Sequence, residues 1–470
     1  MVEDGRYPCG VQTVTCDYKN QMPFLSSLAR NRDGSSIAFR YIADAPTTTT
    51  QRLKSMTAGS LPTFFDISNA FSAAEMDEDN IIDQLVACGK KMAFMGDATW
   101  DSLYPRQFDP SLPFPCYNIL DLHTVDDGIN EYLLPLVKNH TTWDVIVTHY
   151  LGVDHTGHAH GVQSGIMAEK LRQMDQNMQS LVELLAEGAY EGGPYDSTLL
   201  VVAGDHGQTL TGDHGGGSPE EVDSIFLAVD ISRYETSNIH DNSSLNPNLD
   251  ACRLNCSCGP DNNQCVGDLS QIDAVPTLSA LLDIPIPFGN LGKVSPELWS
   301  IGSLRCPHVA GDKASKDAAY DRLLKANVEQ VFKYLVTYAS KPGSRFPSGM
   351  LDRLENMHDR INNDTLYQGN DANMLRQIDC MEFLSMGESF AREAWTQFRE
   401  GWMVLGAIIF AMSVFIQFYV LLMIGKRLTE FSHALDSVQA SVVWIMNGAH
   451  AIGIFSFFFL LSEGTLSSFA

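Results

Sequence analysis

Two acid–imidazole pairs, Asp205-His206 and Asp213-His214, stand eight residues apart in a loop with glycines at 204, 207, 212, 215, 216 and 217. Carboxylate and imidazole together form the mixed oxygen and nitrogen donor set that suits zinc or a similar divalent ion. Glycines lack a Cβ and so let a backbone crowd a ligand. A second cluster lies upstream, where Asp154, His155, His158 and His160 put one carboxylate and three imidazoles within seven residues. Asp154 and His158, four apart, can face one ion from an opening helical turn, while His155 and His160 read as supporting or surface residues. A third stretch, Pro46-Thr-Thr-Thr-Thr-Gln-Arg52, sets hydroxyls and amides where a helix N-terminus would meet an anion. Each has a plainer reading alone: a glycine-rich surface loop capped by Asp, a structural histidine, a Thr run serving as N-caps. Their combination points to metal-assisted chemistry.

Strand ends must position these groups. Leu199–Ala203 is an apolar run with the look of a strand buried on both faces, and its exit loop carries both acid–imidazole pairs. The carboxyl ends of such strands are where open α/β sheets place their sites. Trp143–Leu151 is a second buried strand, exiting into the Asp154 cluster. Lys91–Trp100 reads as a short strand ending in a Gly-Asp loop, and Ser224–Val229 as another strand. Helices are expected over Asp77–Ala87, over Met167–Glu187 with an apolar Met and Leu stripe that belongs to the core, and over Ile272–Leu282. Residues 1–45 carry little pattern. The alternation predicts an α/β fold with a doubly wound, mainly parallel sheet.

Composition narrows the class. Against 31 Lys and Arg stand 57 Asp and Glu, a net charge of −26, which argues against nucleic-acid binding. Four of ten cysteines, Cys252, Cys256, Cys258 and Cys265, fall in a polar insertion over 231–270. Their C-x3-C-x-C-x6-C spacing fits zinc knuckles poorly and favours disulfides in an oxidising compartment. Sequons at Asn139, Asn242, Asn255 and Asn363 agree with a lumenal or extracellular face. No signal peptide is visible. Residues 313–400 read as helical and polar. Trp402–Ile424 has no charge and is long enough to span a bilayer, and Val438–Leu461 is a second such run. Lys426 and Arg427 would keep the loop between them cytosolic and residues 1–400 on the opposite side.

Six segments resemble one family: Pro46-Thr-Thr-Thr49 through Lys54, Thr57-Ala-Gly-Ser-Leu-Pro-Thr-Phe, Met95-Gly-Asp-Ala-Thr-Trp100, Leu151-Gly-Val-Asp-His-Thr-Gly-His158, Val201-Val-Ala-Gly-Asp-His-Gly207 with Asp213-His-Gly215, and Pro285-Ile-Pro-Phe-Gly-Asn290. The pattern resembles the alkaline phosphatase superfamily and, within it, the GPI ethanolamine phosphate transferases, over roughly residues 20–300. The resemblance implies transfer of phosphoethanolamine from phosphatidylethanolamine to a mannose of a GPI precursor, the third by its subgroup motifs, through a covalent threonine intermediate in the endoplasmic reticulum. It implies two divalent ions, zinc in most members, with Asp154, His158 and His214 holding one and Asp205, His206 and the nucleophile Thr49 the other. Asn69 would bind the phosphate, and a small membrane partner subunit would be expected.

The resemblance also implies a lumenal catalytic domain over 1–310, a helical stalk or cap over 311–400 and two spans within 401–470, part of a larger membrane domain. One departure is plain: the family's first Asp ligand follows an N-terminal strand, and here only Asp4-Gly-Arg6-Tyr7 is a candidate remnant, with no preceding span. Two other activities fit the same residues: a hydrolytic phosphodiesterase, in which water replaces the sugar hydroxyl, and a non-catalytic glycan-binding or scaffold subunit.

Overall fold

The computed structural model of the chain describes residues 18–30, 34–61, 75–234, 257–258, 265–302, 313–341, 349–369, 372–396 and 400–428. It divides into two units, Met1–Tyr334 with Arg353–Glu388, and Leu335–Asp352 with Ser389–Ala470.

In the first unit the strands run β1 (Ser36–Ile42), β2 (Met92–Asp97), β3 (Ser111–Phe114), β4 (Val145–His149), β5 (Leu199–Ala203), β6 (Asp223–Asp230), β7 (Ser257–Cys258) and β8 (Cys265–Ser270). They make two sheets, ordered β5-β6-β1-β8-β7 and β3-β2-β4. Around them lie α1 (Pro23–Arg30), α2 (Thr49–Ala58), α3 (Ile81–Ala87), α4 (Thr99–Leu103), α5 (Thr124–Lys138), α6 (Gly152–His160), α7 (Gly165–Glu187), α8 (Pro219–Val222), α9 (Gln271–Leu281) and α10 (Pro296–Gly302). The alternating α/β class expected from the sequence is borne out. The smaller sheet is parallel throughout, and the larger is mixed, with β6 antiparallel to both β5 and β1 while β1 and β8 run parallel.

Burial follows strand position. β2 is central and buried at every residue, as a strand covered on both faces requires. β5 is not the doubly buried strand its apolar run suggests. Among the described residues it pairs only with β6, its residues are half-buried, and Ala203 is exposed. The strand that organises the larger sheet is β1, within a stretch that carries little sequence pattern. Arg40 sits mid-strand there, donating from Nε to Asp268 of β8 (2.8 Å) and from Nη1 to Asp223 of β6 (3.4 Å).

α7 packs the Met and Leu stripe as expected, burying Met174, Met178, Leu181, Val182 and Leu185. Its Asp175 also accepts the amides of Phe24 and Leu25, each at 2.9 Å, closing the start of α1. α3 begins at Ile81 rather than Asp77 because Asn80 caps it, accepting the Asp83 amide.

Helices α11 (Lys313–Ser340), α12 (Met350–Asn362) and α13 (Ala372–Thr396) follow. In the second unit α14 (Glu400–Leu428) contains Gly406–Ile424, 19 residues long and apolar enough to cross a membrane. The expected span over 438–461, Asp4, Asn69, and the sequons at 242 and 255 lie outside the described residues. So do the side chains of the four clustered cysteines, of which the backbones of Cys258 and Cys265 face each other across β7 and β8.

Candidate active site

The site gathers at the ends of β4 and β5, beside the start of α2. Two residues past β4, the chain turns into α6, which carries Asp154 in its first turn and His158 in its last. That turn is fixed from behind. Asp126 of α5 accepts the amides of Leu151 (3.1 Å) and Gly152 (2.9 Å) on Oδ1, and its Oδ2 faces Lys170 Nζ at 3.2 Å. Any Cβ at residue 152 would stand 2.1 Å from Asp126 Oδ2, so only glycine fits.

The loop after β5 lies on α6. Gly212 has φ +90°, and a Cβ there would come within 1.9 Å of the Gly157 carbonyl oxygen. The expectation that these glycines admit a ligand is therefore corrected at Gly212, whose bareness lets the loop touch the helix. From the same loop Gln208 donates Nε2 to Asp154 Oδ1 (2.6 Å) and to its carbonyl (3.1 Å), orienting the carboxylate.

The four threonines separate. Thr47 is fully buried, donates its hydroxyl to Gly216 O (2.8 Å) and accepts the Gly215 amide (2.9 Å). Thr48 is the N-cap residue of α2, with its hydroxyl on Gln51. Thr50 is buried. Thr49 alone brings its hydroxyl to an imidazole of the cluster, with Oγ1 3.5 Å from His206 Nε2.

Around Thr49 the predicted residues come together. His206 Nε2 lies 3.4 Å from Asp205 Oδ2, and Asp154 stands 3.5 Å from both His158 Nε2 and His214 Nε2. The His206 and His214 rings stack at 3.9 Å, and one ligand atom from each of Asp154, His206 and His214 falls within 4.8 Å of the others.

The tautomers follow from the partners. His206 Nδ1 faces Gly207 O (3.0 Å) and His214 Nδ1 faces Thr47 O (2.8 Å). A carbonyl only accepts, so each Nδ1 carries the proton and each Nε2 turns a lone pair toward a carboxylate. Asp205 Oδ2 is buried with no hydrogen-bond partner among the described residues. Lone pairs facing lone pairs at 3.4–3.5 Å, with a buried orphan oxygen, form a donor set that fits a divalent cation.

Electrostatics agree. Burial pushes the Asp205 carboxyl up, but the imidazoles of His206, His149 and His214 outweigh it and hold Asp205 below the usual carboxylate range. Burial and the neighbouring His206 hold His214 below its ordinary value, keeping its ring neutral.

Other sequence candidates sit outside the cluster. Asp213 is exposed and accepts from Thr211 Oγ1 at 2.8 Å. His160 is exposed. His155 is buried with backbone carbonyls at both ring nitrogens, Asp121 O at 2.8 Å and Cys116 O at 3.1 Å. Sequence reasoning missed Asp126 and Gln208, each of which acts across a long sequence separation, and read Thr47 only as a member of a capping run.

Residues 12–220 match the type I phosphodiesterase / nucleotide pyrophosphatase family. More narrowly, the chain is 38% identical over 384 residues to GPI ethanolamine phosphate transferase 3, catalytic subunit, of Homo sapiens, covering 80% of this chain and 32% of that protein. It is also 38% identical over 281 residues to GPI ethanolamine phosphate transferase 3 of Saccharomyces cerevisiae, covering 58% of this chain and 25% of that one. The chain thus spans a third or less of the length of these relatives. Among solved structures, an alkaline phosphatase superfamily protein of Vibrio parahaemolyticus is similar with a TM-score of 0.38 at 13% identity, covering 60% of this chain and 66% of that chain.

Proposed function

We propose that this chain is the catalytic portion of a membrane-bound phosphoethanolamine transferase. It moves phosphoethanolamine from phosphatidylethanolamine to a mannose of a GPI precursor, the third, with Thr49 as nucleophile. The observation that carries this reading is Thr49 Oγ1 at 3.5 Å from His206 Nε2, beside a donor set with an orphaned carboxylate oxygen.

In the first step the Thr49 Oγ–phosphorus bond forms and the bond from phosphorus to the diacylglycerol oxygen breaks. In the second, the mannose hydroxyl displaces Thr49. The proton lost by each attacking hydroxyl balances the one gained by each leaving oxygen. Asp154, His158 and His214 would hold one divalent ion, and Asp205 and His206 with Thr49 a second, zinc suiting both sets. Such ions, when bound, favour the ionised hydroxyl and steady the charge of an in-line displacement. Thr47 aligns the His214 loop with the nucleophile, Gln208 orients Asp154, and Asp126 fixes the turn that delivers it.

In this layout residues 1–310 form the catalytic domain, 311–400 a helical stalk or cap, and α14 crosses the membrane of the endoplasmic reticulum, with 1–400 lumenal. Asn139 and Asn363, both exposed, would then carry glycans.

The test is to trap the covalent intermediate and map it by mass spectrometry. A phosphoethanolamine adduct on Thr49, lost in Thr49→Ala, is the expected result. A label on Thr47, Thr48 or Thr50 moves the nucleophile. Turnover without any label favours direct attack by the acceptor, and release of free phosphoethanolamine in the presence of acceptor favours a hydrolase.

A further inference from the structure

We propose that His149 is a further substrate-contacting residue, an Nε2–H donor to a phosphoryl oxygen, held in that state by the segment Gly96–Trp100. The inference rests on the phosphoryl-transfer reading above. His149 ends β4, three residues before α6 begins. The Trp100 indole Nε1–H donates to its Nδ1 at 2.9 Å, and the two rings meet edge to face at 6.5 Å. An indole nitrogen only donates, so Nδ1 of His149 is the acceptor and the proton of the neutral ring is on Nε2. That is the opposite tautomer from His206 and His214, whose Nδ1 protons are taken by carbonyls.

The imidazoles of this site therefore fall into two chemical kinds. His206 and His214 offer lone pairs suited to a cation, and His149 offers a proton suited to an anion. Among the described residues His149 has the Trp100 indole at Nδ1 and no hydrogen-bond partner at Nε2, and the strand end that carries it leads within five residues to Asp154 of α6. A fixed N–H beside the nucleophile's cluster is what a phosphoryl oxygen gaining charge would use.

The clamp accounts for a motif with no other role in the chemistry, Met95-Gly-Asp-Ala-Thr-Trp100. Trp100 is buried and supplies the indole proton. Gly96 pairs with His149 across β2 and β4 at φ +141°, and a Cβ there would stand 2.5 Å from the His149 carbonyl oxygen. Any other side chain at 96 would push β4, and the imidazole with it, out of place.

The experiment compares His149→Asn, His149→Gln and Trp100→Phe in the full chain, reading kcat, KM, bound metal and affinity for inorganic phosphate. Asn keeps an acceptor near the Nδ1 position but cannot reach where Nε2 stands, whereas Gln can present an N–H there. His149→Asn is expected to lower kcat by about 10²-fold or more, to weaken phosphate binding and to leave bound metal at the parent level. His149→Gln should recover part of the loss. Trp100→Phe should show a smaller loss that vanishes in the His149→Asn background, since the two act as one unit.

Unchanged kcat and phosphate affinity in His149→Asn overturns the proposal, and so does loss of bound metal, which would make His149 a ligand. Should His149→Asn fail to fold, Trp100→Phe decides alone: reduced phosphate affinity with full metal supports the clamp, and parent values refute it. Thr49→Ala separates the two readings. If it stays active the transfer reading falls, and if it is dead while His149→Asn is fully active only the present proposal falls.

Discussion

Two polar clusters sit at opposite faces of the turn into α6, and they are finished to different degrees. Behind it, Lys170 Nζ has Leu122 O, Gln173 Oε1, Asp126 Oδ2 and His123 Nδ1 within 2.6–3.2 Å, while Asp126 also accepts two amides. Both side chains are almost wholly buried, 2% and 0% exposed. In front, Asp154, Asp205, His206 and His214 turn acceptors toward one another, and Asp205 Oδ2 has no hydrogen-bond partner among the described residues. A saturated buried network is architecture, and an unsaturated one beside a nucleophile is set for a ligand.

The largest expected effect falls on the front cluster's activity. His214→Ala should remove one metal equivalent and cut turnover by more than the ~10–100-fold that losing an orienting partner costs. The metal-free variant should lose no more than about 1 kcal/mol relative to the metal-free parent, the worth of the hydrogen bond from His214 Nδ1 to Thr47 O. A clear drop in the melting temperature of the metal-free variant would show that His214 is structural and collapse the contrast.

Lys170→Met should do the reverse, destabilising the fold by about 3–5 kcal/mol in urea unfolding, since a buried Asp126 charge is left unpaired. A loss under about 1 kcal/mol, the range of exposed pairs, would place this pair with the front cluster instead.

Thr47→Val tests the link between loop and nucleophile. It removes the hydroxyl that joins Gly215 and Gly216, leaves the carbonyl under His214, and should weaken metal affinity by ~10–100-fold. Unchanged affinity by competition with a chelator would assign Thr47 to packing.

Acidity sharpens the comparison further. His214 lies below its ordinary 6.5 in the fold, so the unfolded chain binds its proton first as pH falls. The metal-free protein should lose stability progressively below about pH 6.5. Asp205, also held low, adds stability above its ordinary 3.8 that is lost as pH falls through its folded value. Urea midpoints at descending pH measure both, and a gain in stability between pH 6.5 and 5 would reverse the sign assigned to His214. Asp213→Asn should have the smallest effect, within about 0.5 kcal/mol and with full activity, because the group is exposed.

Much of this was legible from local spacing. Asp154 and His158 face one point because four residues make about one helical turn. The Leu199–Ala203 run and the loop after it named the second half of the cluster, although the run's apolarity overstated its burial. Among the described residues β5 is an edge strand, and such a strand beside a site needs apolar residues on one face and tolerates them on the other. β1 escaped because Arg40 breaks its apolar pattern, and the Asp268 and Asp223 that make it tolerable lie 228 and 183 residues away. Thr47 and Thr49 are the same residue type in one run, and only Gly215, Gly216 and His206, supplied from the distant loop, tell them apart. His149 looks like a polar residue ending an apolar strand until the Trp100 indole is placed against it.

The position of β1 bears on how the chain must be made. Its neighbours are β6 and β8, so Ser36–Ile42 has neither edge covered until residues 223–230 and 265–270 have been synthesised. The stretch matched by the phosphodiesterase family ends at residue 220, before either neighbour. A fragment cut there would carry β1 with both edges bare, the arrangement most open to pairing with another chain. For the growing polypeptide the same fact is a delay. Nearly two hundred residues separate Arg40 from Asp223 on the neighbouring strand, so pairing of this strand waits on the closure of a long loop.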